Sequence, residues 1–398
     1  MARPIMLRST FTGAPVLNGL VGQGIQPILN ACLINGFNIK TLTSLTQAGG
    51  VATATVTTGH GYDDDTLIRI SGANESDFNG DFRITVTGSS TFTFPISTSA
   101  PSTASGTLSA KYAPLDWEAA FTSSDNTRTV YRSKDPASRR LYLRCLDNHD
   151  NPTQDANYGN SYKTATMTMY ETMSDVDTGT GATKSYWRRA QSLNANARPW
   201  VLIGDSKRFW LITAWSESYT YCYCPHYFGD FFTFKPGDNF NVMLAGAFGL
   251  AYDAYGSQSS YNTGYINTVW TGVGANNGIW VARPYFALGG SVNVHWIGSY
   301  TGWIGRHAGT TFPNPCDGGM FLFPPLLIQE GGAFPTIRGI LPGLLCPMNL
   351  WPVDANKQYT EMYEGFIING LPRKMLCLRG SYQDGGDRLA FDLTGPWD

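Results

Sequence analysis

The five histidines, His60, His149, His226, His295 and His307, are the side chains best suited to proton transfer at neutral pH. No HExxH helix motif, GxSxG nucleophile elbow or phosphate-cradling P-loop accompanies them. His60 stands between Gly59 and Gly61 and reads as a turn residue rather than a base. The seven cysteines, Cys32, Cys145, Cys222, Cys224, Cys316, Cys346 and Cys377, are odd in number and mostly set among apolar residues, which predicts buried free thiols. Cys222 and Cys224 have a single residue between them, too close for the usual zinc knuckle, and no second pair follows. Asp147-Asn148-His149-Asp150-Asn151 is a dense run of oxygen ligands. It lacks the glycine and terminal glutamate of a calcium loop and is expected to be an ordinary polar loop. Paired carboxylates for sugar cleavage direct attention to Asp63-Asp64-Asp65 and to Glu330. The aspartates read as solvated charge in a turn, and Glu330, after the apolar run Leu326-Leu327-Ile328-Gln329, as a strand-end carboxylate capping a turn. These residues predict no catalytic group, no metal and no cofactor.

Binding chemistry is concentrated elsewhere. Between Gly246 and Gly319, Tyr252, Tyr255, Tyr261, Tyr265, Trp270, Trp280, Tyr285, Trp296, Tyr300 and Trp303 sit among Gly, Ser, Asn and Thr with almost no charge. Rigid amphipathic rings supply contact area and small polar residues supply adaptable hydrogen bonds, as in recognition loops. The same residues would pack well between subunits, the reading preferred here, or stack on the sugar rings of a surface receptor.

Composition points the same way. Charged residues are 15% of the 398, aromatics 13%, and glycine totals 44. That suits an all-β protein with many turns and leaves few charges for a free surface, so an assembly is expected. A net charge of −2 and a pI near 6.2 argue against a nucleic-acid partner, because no basic excess displaces counterions from phosphates. The pairs Arg139-Arg140 and Arg188-Arg189 are expected to be solvated or interface charges. No apolar run is long enough to insert in a membrane, and the segment Met1 to Thr10 lacks the apolar centre of a signal peptide, so synthesis in the cytoplasm is expected.

The elements that must carry these residues begin with a small β-module. From Gly49 to Phe94, period-two runs alternate with turn residues: Val51, Ala54 and Val56, then Leu67, Ile68 and Ile70, then Phe82, Ile84 and Val86, then Phe92 and Phe94. Asn79-Gly80 is the dipeptide that favours a two-residue type I′ hairpin. The run Gly59-His60-Gly61-Tyr62, the strand Ile68-Arg69-Ile70-Ser71-Gly72-Ala73 and the stretch Phe78 to Phe94 resemble a small β-domain repeated across virion proteins of tailed bacteriophages, especially tail and baseplate parts. Ile337 to Gly343 and Phe391 to Trp397 are similar to the end of the same kind of protein. The resemblance implies a structural part of a phage tail tip or baseplate, located in the virion, partnered by other copies of itself, a trimer being the symmetry to expect, and by other tail proteins. It also implies an N-terminal arm that clasps neighbours, with a bacterial surface receptor as a further partner. A receptor- or glycan-binding module of the tail fibre apparatus and a capsid-associated decoration protein are the alternatives.

The remaining chain divides into an N-terminal arm and short helix over 1–40, the helix near Pro27 to Asn35, the module over 41–112, and a β-sandwich-like body over 113–398. In the body, Thr129–Arg132, Leu141–Leu146 and Ala165–Tyr170 alternate as for a sheet with one wet face. Trp200–Ala214 reads as two apolar strands split at Gly204-Asp205, and Phe231–Leu244 as a pair around Lys235-Pro236-Gly237-Asp238. Trp117–Phe121 and Met173–Val176 hint at helix. Prolines break the apolar stretch after Met320 into short strands. Arg373–Arg379 and Arg388–Leu393 read as the last strands, with Trp397 as an anchor against the body. The fold class is all-β.

Overall fold

Alternating β-branched and aromatic residues make extended backbone the favoured local state, and the fold is all-β with several antiparallel sheets and one short helix. The computed structural model describes residues 3–20, 23–147, 164–190, 194–214, 223–246, 279–297, 316, 322–323, 327–330, 336–347, 361–368, 371–379 and 388–397.

Strand β1 (Ile5–Arg8) is followed by helix α1 (Ile25–Leu29), which passes into a π-helical turn, Asn30–Asn35, ended by Gly36 at φ 67. The module then supplies β2 (Phe37–Thr41), β3 (Ser44–Ala48), β4 (Val51–Thr55), β5 (Leu67–Ala73), β6 (Gly80–Arg83), β7 (Thr85–Val86), β8 (Thr91–Pro95) and β9 (Gly106–Tyr112). They form two four-stranded sheets, β2-β9-β5-β6 and β3-β4-β8-β7. Leu45, Ala54, Ile68, Ile70, Phe92 and Phe94 are buried between them. The Asn79-Gly80 turn differs from expectation. Asn79 is extended at φ −92, after a 3-10 turn at Ser76–Phe78, and its amide clamps both the N–H and the C=O of Ala73. A side-chain clamp therefore closes this connection where a type I′ turn was expected.

The body opens with β10 (Trp117–Thr122), β11 (Arg128–Ser133), β12 (Tyr142–Leu146), β13 (Thr164–Tyr170), the small hairpin β14 (Thr172–Met173) and β15 (Gly179–Thr180), and β16 (Thr183–Arg188). Neither segment read as helical is a helix: Trp117–Phe121 lies in β10, paired with β11, while Met173 ends β14 and residues 174–176 bend toward β15. Cross-strand pairing overrides the weak local preference there. Next come β17 (Trp200–Gly204), β18 (Arg208–Ala214), β19 (Tyr223–Asp230), β20 (Phe232–Thr233), β21 (Val242–Ala245), β22 (Ile279–Val281) and β23 (Val292–Ile297). The C-terminal part adds β24 (Leu322–Phe323), β25 (Leu327–Glu330), β26 (Thr336–Ile340), β27 (Leu344–Pro347), β28 (Glu361–Ile368), β29 (Leu371–Arg379) and β30 (Arg388–Asp392). β29 and β30 pair antiparallel, and the Gly385-Gly386 turn expected between them lies outside the described residues.

Three layers result. A five-stranded sheet, β10-β11-β12-β13-β16, packs on one face of a ten-stranded sheet, β1-β17-β18-β19-β21-β22-β23-β25-β26-β20, and the sheet β24-β27-β30-β29-β28 packs on the other. Side chains of β17, β18 and β19 divide by period two. Leu202, Phe209, Leu211 and Phe228 join Trp117, Leu143 and Trp187, while Ile203, Trp210, Ile212 and Tyr227 join Leu344, Leu376 and Phe391. Burial on both faces explains why Trp200–Gly204 is continuously apolar. The wet face expected of β13 is also missing, since that strand is buried along almost its whole length. Each such Leu, Ile or Phe contributes roughly 1.5–3 kcal/mol.

The ends of the chain are woven into these layers. β1 pairs with β17, Ser9 and Pro15 bond Trp200, and Leu17 bridges Arg198, so the expected arm is part of the body's own sheet. The residues of β2, placed with the arm by sequence, pair with β9 of the module. Module, helix and body share one contiguous apolar cluster. The Phe231–Leu244 pair is also different: β20 pairs with β26, and β21 with β19 and β22. Only Phe231 separates β19 from β20, so the ten-stranded sheet curls until β26 meets β20 and closes a barrel end. Gly339 makes that approach feasible, since a Cβ there would lie 1.9 Å from the Phe232 carbonyl oxygen.

Candidate functional site

The barrel end is held by one buried arginine. Arg338, on β26 beside Gly339, is fully buried and grips Asp238 through two hydrogen bonds, Nε to Oδ2 at 2.9 Å and Nη2 to Oδ1 at 3.0 Å. Its Nη1 donates to Glu330 Oε1 at 2.6 Å and to the Arg283 carbonyl. Burial alone would raise the Asp238 carboxyl, but the Arg338 guanidinium and the Phe240 amide outweigh it and hold it below the usual carboxylate range. Glu330 Oε2 accepts the Tyr285 N–H at 2.8 Å, so the same knot fixes the loop that follows β22. Arg283 binds both oxygens of Glu171, at 2.7 and 2.6 Å, and lies over the Phe240 ring. Lys235 caps the Tyr285 ring and carbonyl.

What this base presents is apolar. Phe286 is 79% exposed and Leu288 76%, on a loop where Ala287 takes φ 59 and donates its N–H to the Pro284 carbonyl at 2.7 Å. Phe234, whose N–H bonds the Arg338 carbonyl, and Ile337 are the neighbouring exposed apolar side chains. Exposed apolar groups on a fixed base, rather than single scattered ones, suit an interaction surface. Sequence reasoning missed all four. The signal was Pro284-Tyr285-Phe286-Ala287-Leu288-Gly289-Gly290, an apolar pair bounded by turn residues.

Of the predicted contact aromatics, Tyr252, Tyr255, Tyr261, Tyr265, Trp270, Tyr300 and Trp303 lie outside the described residues. Trp296 falls on β23 opposite Ile328. Trp280 is half-buried on β22, opposite Leu244, with its indole N–H buried and unbonded among the described residues.

The residues weighed for acid–base chemistry serve the scaffold. His60 is buried, its Nε2 on the Gly88 carbonyl at 2.8 Å and its Nδ1 accepting the Tyr62 N–H at 2.9 Å. His226 is buried and stacked on Trp187, with Nε2 accepting the Arg188 N–H at 3.1 Å. Burial, with Arg198 and Arg188 adding repulsion, lowers its pKa to about 3 and keeps it neutral. Asp147 accepts the Gly24 and Gln26 N–H groups, each at 3.0 Å, and pairs with Arg189 at 2.8 Å, which orders the entry to α1. Asn148 to Asn151 lie outside the described residues. Arg188 and Arg189 are buried rather than solvated, because Arg188 lies against His226 of β19 and Thr213 of β18, and Arg189 reaches Asp147 and the Gly19 and Leu20 carbonyls. Glu330 ends its strand as expected, on Arg338 and Tyr285. Cys32, Cys145 and Cys224 are buried free thiols, Cys377 is buried, and Cys316 is exposed. No group of metal-ligating side chains comes together among the described residues.

A second feature lies where β1, the module and β29 meet. A cleft of about 210 Å³ is lined by Asp63, Asp64, Asp65, Arg8, Arg83 and Lys374 among others. Asp65 faces Lys374 at 3.0 Å, Arg83 at 3.5 Å and Arg3 at 3.7 Å. Asp65, and Asp63 with Arg8 at 3.8 Å, are thus paired across a junction, while Asp64 stays exposed and accepts the Val86 N–H at 2.8 Å.

No family model matches the chain, and no curated protein matches it. Among solved structures, it aligns with Phage phi92 endosialidase at 11% identity and a TM-score of 0.17, over 90% of this chain and 52% of that one. The chain therefore spans about half the length of that protein, and so low a TM-score transfers neither fold nor activity. No helix among the described residues is long and apolar enough to cross a membrane.

Proposed function

We propose that this chain is a structural component of a bacteriophage tail tip or baseplate, located in the virion, assembling as an oligomer and contributing to host attachment. The observation that carries the reading is the use made of the module's motif residues. His60, Tyr62 and Phe92 pack ring against ring, with centroids 5.3–5.6 Å apart, and the Tyr62 hydroxyl donates to the Asn38 carbonyl. The residues that resemble those of tail and baseplate proteins thus build a scaffold. The exposed apolar side chains at the barrel end support coverage by another chain.

Electron microscopy of purified particles carrying a tag at exposed Asp64 tests the proposal. Label at the distal tail is expected. Label on heads, or none on particles that contain the other tail proteins, overturns it.

A further inference from the structure

The most exposed large apolar side chains among the described residues, Phe286 and Leu288, have a fitting receptacle on the same chain. We propose that Phe286 and Leu288 of one copy seat in the apolar pocket of a second copy, where β20, the β26–β27 turn and the C-terminal tryptophan meet. This rests on the reading of the chain as an oligomer and names the contact.

The pocket measures about 180 Å³. Trp397 forms one wall, its Nε1 donating to the Asp392 carbonyl at 2.9 Å. Gly343, at φ 75, lets that indole lie close, since a Cβ there would come within 2.3 Å of the ring. Phe232, Ile340 and Leu345 line it half-buried. An apolar cavity of about 150 Å³ accepts a benzene ring, so this one holds a phenylalanine side chain.

Charge and area favour a like copy. The arginines beside both faces are already paired, Arg283 with Glu171 at the loop and Arg373 with Asp392, at 2.8 Å, beside the pocket, and Lys235 caps the Tyr285 ring and carbonyl. Docking therefore leaves both arginine ion pairs intact. At 79% exposure Phe286 offers on the order of 150 Å², and Leu288, two residues on and 76% exposed, adds to it. That is a central anchor for the roughly 800 Å² each partner contributes to a stable interface. Because knob and pocket are different surfaces, the contact joins copies either head to tail into a ring or row or, made reciprocally across a two-fold axis, as a pair.

Sedimentation equilibrium on the full chain tests this with two variants. Phe286→Ser/Leu288→Ser removes the knob, and Leu345→Glu charges the pocket, with Phe232→Ser in its place if that variant does not fold. Each variant is expected to self-associate at least about 30-fold more weakly than the wild type, the loss of one interface anchor. An equimolar mixture of the two is expected to associate again but to stop at a pair, because one intact knob and one intact pocket remain. If the wild type associates and the variants do too, or the mixture is not rescued, this contact is wrong while the oligomeric reading stands. Knob-dependent binding to a lipid vesicle or to another virion protein, indifferent to Leu345→Glu, also overturns it. A wild type that stays monomeric removes both.

Discussion

Arg338 and Asp65 each gather several opposite charges, but they sit in opposite surroundings. The Arg338 side chain is 0% exposed and meets its carboxylates at 2.6–3.0 Å with aligned hydrogen bonds. Asp65 is 36% exposed, and its three cations stand at 3.0–3.7 Å. Removing one partner of a buried cluster leaves uncompensated charge in a poor solvent, whereas water replaces a lost surface partner. The difference teaches that the barrel end is a rigid platform for its apolar loop, while the module cleft is a loosely stitched seam over an apolar core.

The sharpest way to break this comparison is Arg338→Ala. It strands Asp238 and Glu330 and is expected to cost about 3–5 kcal/mol, read as a shifted denaturant midpoint. Arg338→Met, which fills the space, should cost less than Arg338→Ala. Hydrogen exchange at Tyr285 should rise in both, since Glu330 loses its orientation. A loss below about 1 kcal/mol would place Arg338 in the same class as Asp65.

A second effect of intermediate size comes from two buried titrating groups. Unfolded histidine binds a proton below about 6.5, whereas His226 waits until about 3. Its contribution is therefore lost as pH falls through 6.5, at about 1.4 kcal/mol per pH unit. Burial pushes Asp230 up to about 6, despite the Arg139 amide and Arg208. Its contribution is complete below the ordinary carboxylate value of 3.8 and lost as pH rises through 6. The two slopes oppose each other between about pH 4 and 6, so the contributions of these two groups cancel there. Asp230→Asn should expose the histidine slope. Parallel profiles for variant and wild type would contradict these assignments.

The smallest effect belongs to the seam. Asp65→Asn is expected to cost under about 1 kcal/mol and to vanish as salt rises toward 1 M. A larger, salt-independent loss would make the cleft a second platform.

Local periodicity made much of the fold legible. Short antiparallel strands joined by nearby turns left their alternation in Ile68 to Ala73 and Phe92 to Phe94, and the split at Gly204-Asp205 marked β17 and β18. What escaped was long-range. β1 joining β17, β20 crossing to β26, and the packing of β16 on β18 and β19 that buries Arg188 depend on partners far along the chain that no local pattern encodes. The candidate surface was missed for a related reason. An apolar residue in a turn reads like core until the structure puts Phe286 at 79% exposure. Composition drew attention to the ring-rich stretch instead, most of which lies outside the described residues.

Hydroxyl-radical footprinting of the full chain, dilute and concentrated, tests the central claim most directly because it reads side-chain exposure residue by residue. Oxidation of Phe286 and Leu288 should fall steeply as copies associate, with Val51, exposed on the module, serving as the unchanged control. Equal oxidation of Phe286 and Leu288 in the dilute and associated protein would contradict the account.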